Sequence, residues 1–322
     1  MRNLPSHFTS TGEKLLLWPD ILLQLQKFRM PTPINIQISP TNKCNLNCSF
    51  CSVAGRDRSL ELELGDILNF IDELSMRKTV KAVEITGGGE PTLYPEIEKL
   101  ISELVVRNLS VGLITNGLEL TDKIAERYLK KLSWIRISTN TLEITGKIQI
   151  PTLICSTIMG FSYVSGIPTE KTKEFLQKLV HLSYEYQVDY IRLVPNCLED
   201  VTTLIKPLQK LADSLNQKVF FQDKYPKRPD ACYLAYVKPY LYSNGIIYPC
   251  NSVSLAPEAN RDFPANTAIF HMSVAHEWMR QKFKGPCICS SKHNVCKSCR
   301  FFNQNQLLRS LLRSDIFHKE HV

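Results

Sequence analysis

The chain has 322 residues, 43% of them hydrophobic and 22% charged, with a formal net charge of +8; that suffices for one large core or two modest ones and excludes global disorder. The early apolar stretch from Leu15 to Leu25 contains Pro19 and Asp20, so it offers neither an export signal nor the ~18 unbroken apolar residues of a membrane span. Eleven cysteines are then expected in a reducing cytoplasm, where clustered thiols bind metal or do chemistry rather than form disulfides.

Residues 1–33 read as an N-terminal extension. Residues 34–39 (Ile34-Asn35-Ile36-Gln37-Ile38-Ser39) alternate as a strand does. A long loop follows, with Cys44, Cys48 and Cys51. A helix is expected over 66–76, then a buried strand over 82–86 that stops at three glycines. Helix 95–107 opens with Pro95 near its first turn, and strand 110–115 ends in the turn signal Asn116-Gly117. The alternation continues through helix 121–131, strand 134–138, strand 150–158, helix 169–186 and strand 189–194. Cys155 falls in the fifth strand and reads as a small core residue.

This pattern predicts an α/β fold: a partial (β/α)6 barrel over 34–225, since six strands are too few to close an eight-stranded one. Sites are expected in the loops after the strands' C-terminal ends, where the first cysteines, the glycines and Asn116 all fall. Helix 200–216 leads to a Pro- and Lys-rich link over 224–230. The composition then shifts, with six cysteines between Cys232 and Cys299. A small C-terminal domain is therefore expected over 226–300, with a basic tail over 301–322. From Arg280 onward nine Lys and Arg face only Asp315 and Glu320, either a solvated surface or an attraction to an anionic partner such as nucleic acid.

Cys44, Cys48 and Cys51 can fold around a cubane of iron and sulfide, leaving one iron open to a ligand. Zinc would need a fourth ligand from far away, because the next cysteine is Cys155 and the next histidine His181. The spacing, its place after the first strand and Phe50 before the third cysteine resemble the radical S-adenosylmethionine superfamily. The resemblance implies a four-iron cluster whose open iron chelates S-adenosylmethionine, whose reductive cleavage gives a 5′-deoxyadenosyl radical that removes hydrogen from substrate. Gly87-Gly88-Gly89-Glu90-Pro91 resembles the family's glycine motif, which implies that Gly87, Gly88, Gly89 and Glu90 receive the methionine amino group. A tight turn and a charge at a helix start are the plainer readings of these residues. Asn116, Ser138 and Asn140 match cofactor-holding positions at the next strand ends more loosely, a turn being the alternative for Asn116.

Farther on, Tyr240 to Tyr248 reads as a β-hairpin with an Asn244-Gly245 turn, which would bring Cys232 and Cys250 together. With Cys296 and Cys299 the set resembles the superfamily's SPASM or twitch domain, implying one auxiliary four-iron cluster. Cys287 and Cys289 are surplus to that count: alternate ligands, or part of a zinc knot with Cys296 and Cys299. Cys197, just past the sixth strand, is a candidate hydrogen-atom donor to a substrate radical, or else a structural thiol.

The resulting expectation is a radical enzyme that dehydrogenates or epimerises a sugar, aminocyclitol or nucleoside, fed electrons by a flavodoxin or ferredoxin. Modification of a ribosomal peptide is the alternative, although 33 residues ahead of the first strand are too few for a peptide-recognition domain. Modification of nucleic acid rests on the basic tail alone, and a structural iron–sulfur or zinc protein is the reading outside catalysis. No membrane role is expected.

Overall fold

The computed structural model describes residues 8–9, 12–27, 29–75, 80–153, 155–223, 232–255, 260–282, 285, 299 and 301–312. The six expected strands are present as β1 (Asn35–Ile38), β2 (Ala82–Ile85), β3 (Ser110–Thr115), β4 (Trp134–Ser138), β5 (Ile158–Ser165) and β6 (Tyr190–Pro195). They pair in chain order, all parallel. β7 (Val219–Phe221) adds to β6, and β8 (Tyr240–Leu241) adds to the opposite edge along β1, also parallel. β9 (Ile246–Tyr248) and β10 (Phe270–His271) then continue antiparallel. The sheet is open, in the order β10-β9-β8-β1-β2-β3-β4-β5-β6-β7.

Alternation along the strands separates two faces. Ile36, Ile38, Val83, Ile85, Val111, Leu113, Ile135, Ile137, Phe161, Ile191 and Leu193 are fully buried and pack into the core that the helices cover. The helices bring matching stripes: Ile67, Phe70, Ile71 and Leu74 from α1 (Leu64–Ser75), and Ile97, Leu100, Ile101 and Leu104 from α2 (Ile97–Val106). Helix α3 (Glu170–Glu185) starts at a capping box between Thr169 and Thr172. On the other face of the strands stand Asn35, Gln37, Glu84, Ser110, Arg136 and Arg192, which line one cavity.

Two local expectations are corrected. The fifth strand is 158–165, not 150–158, because β4 pairs from Trp134↔Ile158 to Ser138↔Ser162. Ile150 and Leu153 still pack on the core, but from a connection containing Pro151, which has no N–H for a ladder. Cys155 is therefore exposed outside any strand, its Sγ 3.1 Å from Thr157 Oγ1. The helix expected at 121–131 is two single turns, Leu120–Lys123 and Glu126–Leu129. Ile124 between them is extended, and the Ala125 N–H leaves the helix to donate to Glu98 Oε1 at 2.7 Å.

The expected hairpin forms, with Gly245 at φ +79° in its turn. Its first strand lies directly on β1, so one sheet takes strands from both sides of the boundary expected at 226. Behind the hairpin sits a second core of Tyr240, Tyr242, Tyr248 and Phe263 with Cys232, Cys250 and Cys299. It also takes Ile21 and Leu25 from the helix Pro19–Gln26 and Leu308 from the helix Phe302–Leu312.

Candidate metal centre and the cavities beside it

The loop after β1 is tied at its base. Thr41 bridges to Glu61, Asn42 N–H donates to Leu60 O at 2.9 Å, and Leu62 N–H donates to Pro40 O at 2.9 Å. Cys44, Cys48 and Cys51 are carried within it, all partly exposed, with Cys51 N–H turned back onto Cys48 O at 3.1 Å. Burial pushes the Cys44 and Cys48 thiols up, and neighbouring thiols and Glu90 add to it. Among the described residues no three His, Cys, Asp or Glu converge on a single ion. A cubane asks for something different, one thiolate on each of three irons, and one short loop with three accessible thiols fits that demand.

Arg56, missed from the sequence, holds this loop together. It is buried and donates to Asn42 O at 3.0 Å, Val53 O at 2.8 Å and Cys51 Sγ at 3.6 Å. Arg261 joins from the far side, donating to Ser49 O at 3.2 Å and to Cys51 O. Asn260 and Arg261 take φ of +46° and +60°, strained values for residues with side chains. Gly55 admits them, since a Cβ there would lie 2.1 Å from Asn260 O.

The glycine run packs edge-on against the same loop. Gly89 N–H donates to Thr41 O at 3.0 Å and Glu90 N–H to Lys43 O at 2.7 Å. A Cβ on Gly88 would fall 2.2 Å from Asn42 Oδ1, and one on Gly89 2.1 Å from Lys43 O. The glycines thus have a packing reason to be there, and that packing sets the run beside the cysteines. Glu90 is buried and accepts from Thr92 N at 3.1 Å, Thr115 Oγ1 at 2.6 Å and Asn116 N at 2.7 Å. Burial pushes its carboxyl up against these three donors. Its contacts brace the glycine run to the end of β3 and cap the single turn Pro91–Leu93; the helix α2 begins only at Ile97. Asn116 extends the brace, donating to Asn45 Oδ1 at 2.8 Å.

A cavity of about 510 Å³ opens beside the cysteine loop, lined by Cys48, Phe50, Asn140, Tyr163, Ser165 and Asn196 among others. Phe50 and Asn140 thus line the same cavity. The Asn140 amide is spent on β5, however, donating to Val164 O at 2.9 Å and accepting from Val164 N at 2.8 Å. Ser138, at the end of β4, does not line this cavity. Cys197 lies two residues past β6 and is partly exposed; its neighbour Asn196, not Cys197, lines the cavity.

Cys232, Cys250 and Cys299 are all buried in the second core. Burial and the nearby Cys250 push the Cys299 thiol up to about 12. Three thiols in one apolar cluster are a donor set that suits a second iron–sulfur group. Cys296, the expected fourth ligand, and the surplus pair Cys287 and Cys289 lie outside the described residues.

Residues 38–176 match the model of the Radical SAM superfamily. A probable GTP 3′,8-cyclase of Pyrococcus abyssi is 30% identical over 37% of this chain and 38% of its own length. The mycofactocin maturase MftC of Mycobacterium tuberculosis is 34% identical over 34% of this chain and 27% of its own. The matched stretch thus spans well under half of either curated relative. Streptococcus suis SuiB bound to S-adenosylmethionine has a similar fold, with a TM-score of 0.59 at 17% identity, covering 94% of this chain and 80% of SuiB. SuiB bound to its precursor peptide SuiA superposes with a TM-score of 0.52 at 15% identity, over 97% and 74% of the two chains. Proteins of this family use a four-iron cluster and S-adenosylmethionine.

Proposed function

We propose that the protein is a radical SAM superfamily enzyme, on the match of residues 38–176 to that family's model, and that it abstracts a hydrogen atom from a small polar substrate, with dehydrogenation or epimerisation as the outcome. The observation that carries this reading is the set Cys44, Cys48 and Cys51 in one tied loop, packed on Gly87–Glu90 at the C-terminal end of an open parallel sheet. Those three thiolates would hold the cluster, which when bound supplies the electron that breaks the sulfonium bond of S-adenosylmethionine.

The chain's own residues do the rest. Arg56 holds Cys51 in place and sets a positive charge beside it. The glycine run presents backbone next to the open side of the cysteine loop, where the methionine amino group needs acceptors. Phe50 and Asn140 wall the adjoining cavity, Asn140 through its lock on β5. Ser138 and Asn116 stand at neighbouring strand ends, Asn116 as a brace. Cys232, Cys250 and Cys299, with Cys296 as fourth ligand, would hold one auxiliary four-iron cluster that accepts an electron from a substrate radical. Cys197 would return a hydrogen atom in an epimerisation. A flavodoxin or ferredoxin would supply the first electron in the cytoplasm.

Anaerobic reconstitution tests the core of this proposal. We expect about eight irons per chain, four for each cubane, and 5′-deoxyadenosine on reduction with S-adenosylmethionine. Tightly bound zinc with four or fewer irons would sink the two-cluster assignment. Peptide modification is the second reading, supported by the likeness in fold to SuiB, whose complex with the precursor peptide SuiA superposes on this chain.

A further inference from the structure

The strands' inner face encloses a second cavity of about 540 Å³, within the range of small-molecule sites. At its upper end is Thr86, the residue before Gly87, so it reaches the loops that carry the cysteines. Its lower end meets Phe8, Lys14 and Trp18 from the N-terminal residues. Phe8 stacks on Tyr190 at 4.5 Å. Gly160 leaves the room that Tyr190 needs, since a Cβ there would lie 2.0 Å from its ring.

The charges lining this space are one-sided. Lys14, Lys81, Arg136, Arg192 and Lys238 face it, and among the described lining residues Glu84 is their only carboxylate. Glu84 is already engaged: Lys238 Nζ lies 2.5 Å from its Oε1, and Asn35 and Gln37 donate to it at 2.8 and 2.6 Å. Arg136 is buried, 8% exposed. Its partners are neutral: Tyr190 Oη at 3.0 Å, Phe8 O at 2.9 Å and the faces of Trp134 and Tyr190. No carboxylate pairs with Arg136 among the described residues. Arg192 reaches the hydroxyl of Ser162 at 2.9 Å and Gln222 Oε1 at 2.8 Å.

A buried guanidinium without a counter-charge is costly, and an anion that enters recovers that cost. Guanidinium is also the side chain best suited to carboxylate and phosphate oxygens. Three buried acceptors on the same wall, Asn35 Oδ1, Gln37 Oε1 and Asn251 Oδ1, have no hydrogen-bond partner among the described residues. Such atoms call for a hydroxyl or amino donor.

We propose that this lumen binds a small substrate bearing a carboxylate or phosphate, which sits at Arg136 and Arg192, and hydroxyl or amino groups, which meet Asn35, Gln37 and Asn251. The anion is held low in the sheet and the rest of the molecule extends toward Thr86 and the cysteine loop. This deepens the radical-enzyme reading by naming the substrate class, and it rests on that reading for the position of the reacting end.

The test is anaerobic calorimetry on the reconstituted protein with pyrophosphate, glutarate and neutral myo-inositol. Saturable binding of pyrophosphate or glutarate, and none of inositol, is expected; which anion binds tells phosphate from carboxylate. Arg136→Gln should weaken that binding at least tenfold. Lys14→Gln, at an exposed residue of the cavity's lower end, should weaken it several-fold. Binding that survives both changes would belong to the basic C-terminal residues and would overturn the proposal, as would the absence of anion binding. 5′-Deoxyadenosine is measured separately on the same wild-type protein: its formation without anion binding sinks only the lumen assignment, and anion binding without it sinks only the radical reading.

Discussion

At the scale of single residues, two positions around Cys51 and the glycine run are decisive. Gly88 has no room for a methyl group, with Asn42 Oδ1 at 2.2 Å and the Tyr242 ring at 2.8 Å from where it would stand. Gly88→Ala should lower stability by about 1–3 kcal/mol, the usual cost of overpacking, and reduce 5′-deoxyadenosine formation; thermal melting and product analysis check both. Arg56 places a cation 3.6 Å from Cys51 Sγ, which favours an added electron on a cluster bound there. Arg56→Met should therefore lower the cluster's midpoint potential, and Arg56→Lys should lower it less, as read by an EPR redox titration. The sequence pointed to the cysteines and glycines because their spacing and composition are unusual. Arg56 and Arg261 left no such mark, since an arginine in a loop becomes a brace only when folding brings backbone carbonyls around it.

At the scale of elements, Glu84 on β2 is tied to Lys238, just ahead of β8, across β1. Burial pushes Glu84 up, but Lys238, Gln37 and Asn35 together outweigh it and leave it below the ordinary glutamate value of 4.5. The folded state therefore binds the Glu84 proton less readily than the unfolded chain does. Its contribution to stability is present above about pH 4.5 and is lost as pH falls from there through the lower folded value. Glu84→Gln should flatten that acid limb in denaturant melts between pH 5 and 3, a range set by ordinary carboxylate values near ~4. An unchanged limb would show that Glu84 is not what couples the hairpin to acid. The alternation Ile34-Asn35-Ile36-Gln37-Ile38-Ser39 announced a strand, and the fold sets Asn35 and Gln37 from its polar half against the cavity. Which strand donates Glu84 or Arg136 to that lumen depends on register, which local pattern does not carry.

At the scale of the whole molecule, the sheet crosses the composition boundary near residue 226. Ile34 N–H donates to Val237 O at 3.0 Å, Gln37 N–H to Pro239 O at 3.0 Å and Ser39 N–H to Leu241 O at 2.8 Å. A fragment ending at residue 225 would expose this edge of β1 and the apolar face behind it. We expect it to aggregate in size-exclusion chromatography, where the full chain elutes as a discrete species; a monodisperse fragment would show that the pairing on β1 is dispensable.

The sequence by itself pointed to Cys44, Cys48, Cys51 and the glycine run as the candidate site, and determined the order of strands and helices and the Asn244-Gly245 hairpin, because each is local in spacing or periodicity. Only the tertiary structure decided that the hairpin joins β1, that Cys232, Cys250 and Cys299 share one buried core, that Asn140 is bound to Val164, and that Arg136 and Arg192 face a common cavity. These facts depend on strand pairing and on contacts between residues far apart in the chain, and no short stretch of sequence encodes them.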